Sequence, residues 1–234
     1  MEPTLPSKRP GTQEISSKGH LPSRSWNALL LLLAASAIIS AVVSLVLVFT
    51  SRPPADDSFE AGFARDMMVH HAQAVQMAEI VRDKTESPTM RTIATDMALT
   101  QQAQIGMMQG WLQAWGLPMA STEPAMTWMG HPTEGLMPGM ATPEEIDRLR
   151  EASPEEADVL FLRLMIPHHQ AAIPMAEAIL ERTDRPEVEQ LAEAMASSQQ
   201  LEIQMMQEML RERGASPVED HPPRTHEGHE GHGS

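Results

Sequence analysis

Two copies of one methionine and histidine spacing carry the most specific chemical signal in the chain. Met67, His70, His71 and Met77 recur as Met165, His168, His169 and Met175, each set written Met-x-x-His-His-x-x-x-x-x-Met. At 100° per residue such a set, with Ala74 or Ala172, occupies about a third of a helix circumference. Imidazole nitrogen and thioether sulfur are ligands for soft or borderline cations, and thioethers select Cu(I) over hard ions. Copper as Cu(I) is therefore the expected ligand, with silver as a second soft ion. The competing account is structural, because methionine fills irregular helical cores and buried histidines form hydrogen bonds. Duplication of the entire pattern favours metal.

A third cluster lies between the copies, where Met126, Met129 and His131 flank Trp128, with Met119, Met137 and Met140 nearby. Two thioethers, an imidazole and an indole face could hold Cu(I). A linker tucking its apolar side chains onto the rest of the protein explains the same residues equally well. His221, His226, His229 and His232, near the C-terminus, could chelate divalent metals weakly.

The elements that must position these residues follow from an internal repeat. Residues 63–112 align with 161–210 without a gap at an offset of 98, with 21 identities in 50 positions. Each copy reads as two helices divided near a proline suited to a first helical turn, Pro88 or Pro186. Ser153-Pro154-Glu155-Glu156 and Thr142-Pro143-Glu144-Glu145 are helix starts, the latter for a short connecting helix, and Gly116 and Gly214 are stops. Helices are expected near 57–84, 88–115, 154–183 and 186–213. The second helices bring Met97, Gln101, Gln104 and Met108, matched by Met195, Gln199, Glu202 and Met206, onto one face each. Pro167 and Pro174, absent from the first copy, remove backbone donors beside the second His pair and are expected to kink its helix.

The fold class is therefore all-α, a four-helix bundle over 57–214 made from two tandem hairpins, with a Met-rich loop at 117–141. A transmembrane helix precedes it: residues 25–51 contain no charge and are long enough to cross a bilayer. Lys8, Arg9, Lys18 and Arg24 before this segment place residues 1–24 in the cytoplasm as a disordered tail, and the bundle outside. Residues 215–234 are expected to be a disordered His-rich tail.

Composition narrows the functional classes. The formal charge of −15 disfavours nucleic acid, and the lack of cysteine excludes disulfides and thiolate metal sites. Outside the cytoplasm, where thiols oxidise, methionine and histidine are the natural soft donors.

The stretch Phe161 to Glu177, with Met165, Pro167, His168, His169, Pro174 and Met175, preceded by Pro138-Gly139-Met140-Ala141, resembles the bacterial family called domain of unknown function 305. Phe63 to Glu79 carries the same signature less completely. The resemblance covers residues 58–213. It implies a ferritin-like four-helix bundle, exported or membrane-anchored, with some members linked to copper or silver, and it carries over His70, His71, His168, His169 and their flanking methionines as ligands.

The expected function is a membrane-anchored extracytoplasmic protein that binds copper or silver for buffering, resistance or delivery, without a catalytic role. Its partners would be metal ions, the membrane, and another copy or an envelope metal-handling protein. A metal-free structural or interaction module of the envelope is the alternative. A ferritin-like oxidoreductase is less favoured, since no Glu-x-x-His pair is present.

Overall fold

The computed structural model describes residues 23–50 and 52–218, all helix, turn and loop. The expected cytoplasmic tail, apart from residues 23 and 24, and the four C-terminal histidines lie outside the described residues. The chain divides into two units at residue 52.

The first unit contains helix α1, Ser23–Thr50. Its window Ala28–Leu45 has a mean hydropathy of 2.6, long and apolar enough to cross a membrane. Its described leucines, isoleucines and valines are exposed.

The second unit is built from α2 (Phe59–Lys84), α3 (Pro88–Trp115), a short α4 (Pro143–Glu151), α5 (Pro154–Leu180) and α6 (Pro186–Glu212). The boundaries have local chemical causes. Ser58 and Ser87 accept the N–H groups of Ala61 and Met90 at 3.2 and 3.3 Å, satisfying donors that the first helical turn leaves open. Thr142 and Glu145 form a reciprocal capping box at the start of α4. Glu156 reaches back to the Ser153 N–H at 3.1 Å where α5 begins. Gly116 ends α3 in the left-handed region, φ +71°, and Leu117 N–H closes the turn onto the Leu112 carbonyl at 2.8 Å.

Helix α5 runs from Pro154 to Leu180 without a break, although Pro167 and Pro174 stand inside it. Each omits one backbone donor.

The four long helices enclose two apolar clusters. One joins the C-terminal half of α2 and the N-terminal half of α3 to α4, to the first half of α5 and to the end of α6, around Met77, Met90, Leu149, Phe161, Met165 and Met206. The other joins the opposite halves around Phe63, Met67, Met108, Leu112, Met175 and Met195. Fully burying side chains of this size stabilises the fold by about 1.5–3 kcal/mol each. Between the clusters in sequence, on all four helices, stand His70, His71, Gln101, Gln104, His168, His169 and Gln199, buried polar residues that belong to neither. After α6 the chain turns back, and Gln207 exchanges two hydrogen bonds with the backbone of Val218.

The segment between the hairpins is more ordered than its Pro, Gly and Met content suggests. Ala125 and Thr133 pair as an isolated antiparallel bridge around a 3-10 turn at Thr127–Met129. The carboxylate of Asp66 accepts from both the Met126 N–H (2.7 Å) and the Trp128 indole N–H (2.9 Å), fastening that turn to α2. Burial pushes the Asp66 carboxyl up from its usual value, against the lowering effect of these two bonds.

Candidate functional site

The two His-His pairs sit midway along α2 and α5, where the apolar stripe of each helix is interrupted by imidazoles instead of being continued by aliphatic side chains. All four rings are buried, with exposure of 1% or less. His70 and His168 stack with centroids 3.7 Å apart.

Every one of the four uses its Nε2 in a hydrogen bond. His70 Nε2 faces the Pro138 carbonyl at 3.3 Å, and His168 Nε2 faces the His70 carbonyl at 3.0 Å. His71 Nε2 lies 2.7 Å from Gln104 Oε1, and His169 Nε2 lies 2.6 Å from a Glu202 carboxylate oxygen. Carbonyl and carboxylate oxygens have no proton to give, so each Nε2 is the donor.

The opposite nitrogens are then decided as well. In a neutral imidazole whose Nε2 carries the proton, Nδ1 presents a lone pair. Burial holds His70 and His71 down to about 4 and about 3, and holds His168 well below its ordinary value, so these three rings are neutral at pH 7. Neighbouring imidazoles lower all three further. Hydrogen bonds to Pro138, Gln104 and the His70 carbonyl raise them, too weakly to offset desolvation.

None of the four Nδ1 atoms has a hydrogen-bond partner, although all are buried. The side-chain oxygens of Gln101 and Gln199, also equivalent in the repeat, are buried and unpartnered too. Buried polar atoms are ordinarily paired, since leaving one unmade costs about 1–3 kcal/mol. Here three repeat-related pairs of acceptors are left open together. An imidazole that donates one N–H to a carbonyl or carboxylate and keeps the other nitrogen open is the arrangement seen at metal-ligating histidines.

The methionines of the twin motifs are buried, Met77 and Met165 in one apolar cluster and Met67 and Met175 in the other. Met97, Met108, Met195 and Met206 are buried on α3 and α6 as their spacing requires. The linker residues divide. Met126 is buried and Met129 half-buried, whereas His131 is exposed. Trp128 packs edge-on against Phe63, centroids 5.8 Å apart. No group of three or more His, Cys, Asp or Glu side chains is arranged to hold a metal among the described residues.

Sequence reasoning missed the roles of two residues and the pairing of two others. Pro138 acts through its backbone carbonyl, which no side-chain pattern announces. Gln73 binds both backbone groups of Ala141, at 2.8 and 2.7 Å, and so draws residues 138–141 against α2. Gln104 and Glu202 are placed on the correct faces by periodicity, but their pairing with His71 and His169 had one available signal, the shared interval of 33 residues.

The chain matches the family described as domain of unknown function (DUF305) over residues 60–210. A DUF305 protein from Streptomyces coelicolor is 47% identical, with 70% of this chain and 99% of that one covered and a TM-score of 0.67. CopM in its Cu(II)-bound form is 31% identical, covering 66% of this chain and 97% of that one, with a TM-score of 0.54. For CopM in its Cu(I)-bound form the identity is 29%, the coverage 66% and 96%, and the TM-score 0.50. Uncharacterized protein L153 of Acanthamoeba polyphaga mimivirus is 46% identical over 56 residues, 24% of this chain, and the match spans 37% of that relative's length.

Proposed function

The chain belongs to the DUF305 family, and from that premise we propose that it is a copper-binding protein, tethered by α1 with its bundle on the extracytoplasmic side, that captures the metal for buffering, resistance or delivery. The observation that carries this reading is the set of four buried Nδ1 atoms, each without a partner while the same ring's Nε2 has an acceptor. Neutral imidazoles need lose no proton to bind a cation, so His70, His71 and His168 meet the metal already deprotonated. His70, His71, His168 and His169 would supply nitrogen, and Met67, Met77, Met165 and Met175 thioether sulfur. Cu(I) suits that donor set, and Ag(I), a soft ion of equal charge, would compete for it. Met126, Met129 and His131 form a lesser candidate on the linker. The copper-bound states of CopM support the choice of metal.

The test is a titration of the full chain, without an affinity tag, with Cu(I) against a competing chelator. Changing His70, His71, His168 and His169 together to alanine should weaken the tightest binding by roughly a hundred-fold, about 2.7 kcal/mol. Wild-type affinity in that variant would remove these residues from the site.

A second reading has its own support, because the motif methionines are enclosed among apolar side chains as core-filling residues would be. On that account the bundle is an envelope interaction module, and the four histidines serve packing. Copper bound no more tightly than by an unrelated helical protein would favour it.

A further inference from the structure

The twin motifs differ at the contact behind one imidazole. His71 donates to the neutral amide of Gln104, and His169 donates to the anionic carboxylate of Glu202, through hydrogen bonds of 2.7 and 2.6 Å. Positions 104 and 202 are the same place in the repeat, so geometry is conserved while charge is not. The remaining acceptors of the four rings are the backbone carbonyls of Pro138 and His70. Glu202 is therefore the one carboxylate among the described hydrogen bonds to these rings. Its side chain is 26% exposed, while the His169 side chain it holds is fully buried.

A carboxylate that accepts the far N–H of a ligating imidazole increases the electron density at the metal-facing nitrogen and places a negative charge one ring's width from the cation. Its Coulomb energy scales with the charge on the metal, so it favours a divalent ion over a monovalent one. A neutral amide orients the ring without adding that charge.

We propose that the two halves are sorted by oxidation state, with the His169–Glu202 half favouring Cu(II) and the His71–Gln104 half favouring Cu(I). The proposal rests on the copper-binding reading above and adds to it which half prefers which ion. Glu202 and Gln104 act here as positioning residues that work through the imidazoles.

The experiment uses the full chain and its Glu202→Gln, Gln104→Glu and double-swap variants. Cu(I) and Cu(II) affinities are measured by chelator competition, and the midpoint potential of the copper-loaded protein by redox titration. Glu202→Gln should weaken Cu(II) binding about ten-fold and leave Cu(I) binding within about two-fold, raising the potential by about 59 mV for the one-electron couple. Gln104→Glu should lower the potential of its own half, and it carries the test if Glu202→Gln does not fold. The double swap should return both affinities to near wild type. Equal losses of Cu(I) and Cu(II) affinity, or no change in either while copper still binds, would overturn the sorting and leave the copper site standing. A wild-type chain that binds neither ion would overturn both.

Discussion

The imidazoles of His70 and His168 lie over one another with their planes 36° apart, and the second ring donates to the backbone carbonyl of the first residue at 3.0 Å. These are the same position of the two repeats, 98 residues apart. Equivalent residues can touch only near the axis that relates the copies, so the duplication folds with its histidines at its own centre.

Thioether ligation and core filling separate under one substitution. Leucine has nearly the volume and hydrophobicity of methionine, and such exchanges usually cost less than about 1.5 kcal/mol. Replacing Met67, Met77, Met165 and Met175 by leucine should keep the helical content and a cooperative melt. Cu(I) affinity should fall by roughly ten-fold or more, about 1.4 kcal/mol. An unchanged Cu(I) affinity would assign these methionines to packing alone.

The buried imidazoles make stability fall with acid. In the unfolded chain they protonate near 6.5, whereas in the fold His70 and His71 are held down to about 4 and about 3, and His168 is also lowered. The unfolded state therefore binds more protons between those values. The full contribution is present above pH 6.5 and is lost as pH drops toward 4, at about 1.4 kcal/mol per pH unit for each histidine. For His70 alone that is about 3 kcal/mol. Denaturant melts of the metal-free chain at pH 7, 5.5 and 4.5 measure it, and a flat profile would mean that water reaches the rings.

Gly139 has φ +75°, and a β-carbon there would stand 2.4 Å from the Pro167 carbonyl oxygen and 2.6 Å from the Ala171 β-carbon. Gly139→Ala should cost about 2–4 kcal/mol, joining left-handed strain to a backbone clash. Gly116 has φ +71° and open space around it, so Gly116→Ala should cost only about 1 kcal/mol. Thermal melts compare the two, and equal costs would mean that the linker does not press on α5.

Membrane attachment is testable in cells. The full chain should stay with membranes through a carbonate wash, and protease added from outside should reach the bundle. Soluble protein whose N-terminus begins after α1 would identify that helix as a removed leader.

Much of the bundle was legible because its causes are local or periodic. The 98-residue offset, the capping boxes at Thr142 and Ser153, the first-turn prolines and the stop at Gly116 each act through residue type at a fixed place. The histidines were legible as a pair on one face. Their environment was not, because the acceptors of His70 and His168 are backbone carbonyls that any residue could supply. The linker was the least readable part. Trp128, read beside Met126, Met129 and His131 as a metal-flanking ring or a tucked side chain, is tucked onto the bundle, and its hydrogen bond falls on Asp66, 62 residues earlier. Nothing in the spacing of polar residues distinguished Asp66 from an ordinary surface acid. Helix α5 continues past Pro167 and Pro174, although each omits a backbone donor.

Trp128 rests so closely on Gly62 that a β-carbon there would come within 2.6 Å of the indole side chain. The corresponding residue of the other repeat is Leu160, half-buried in a shallow surface groove beside Glu155, Glu156, Val159 and Arg163. Only one repeat, then, offers a berth for the tryptophan. One absent side chain thus gives the doubled scaffold a front and a back.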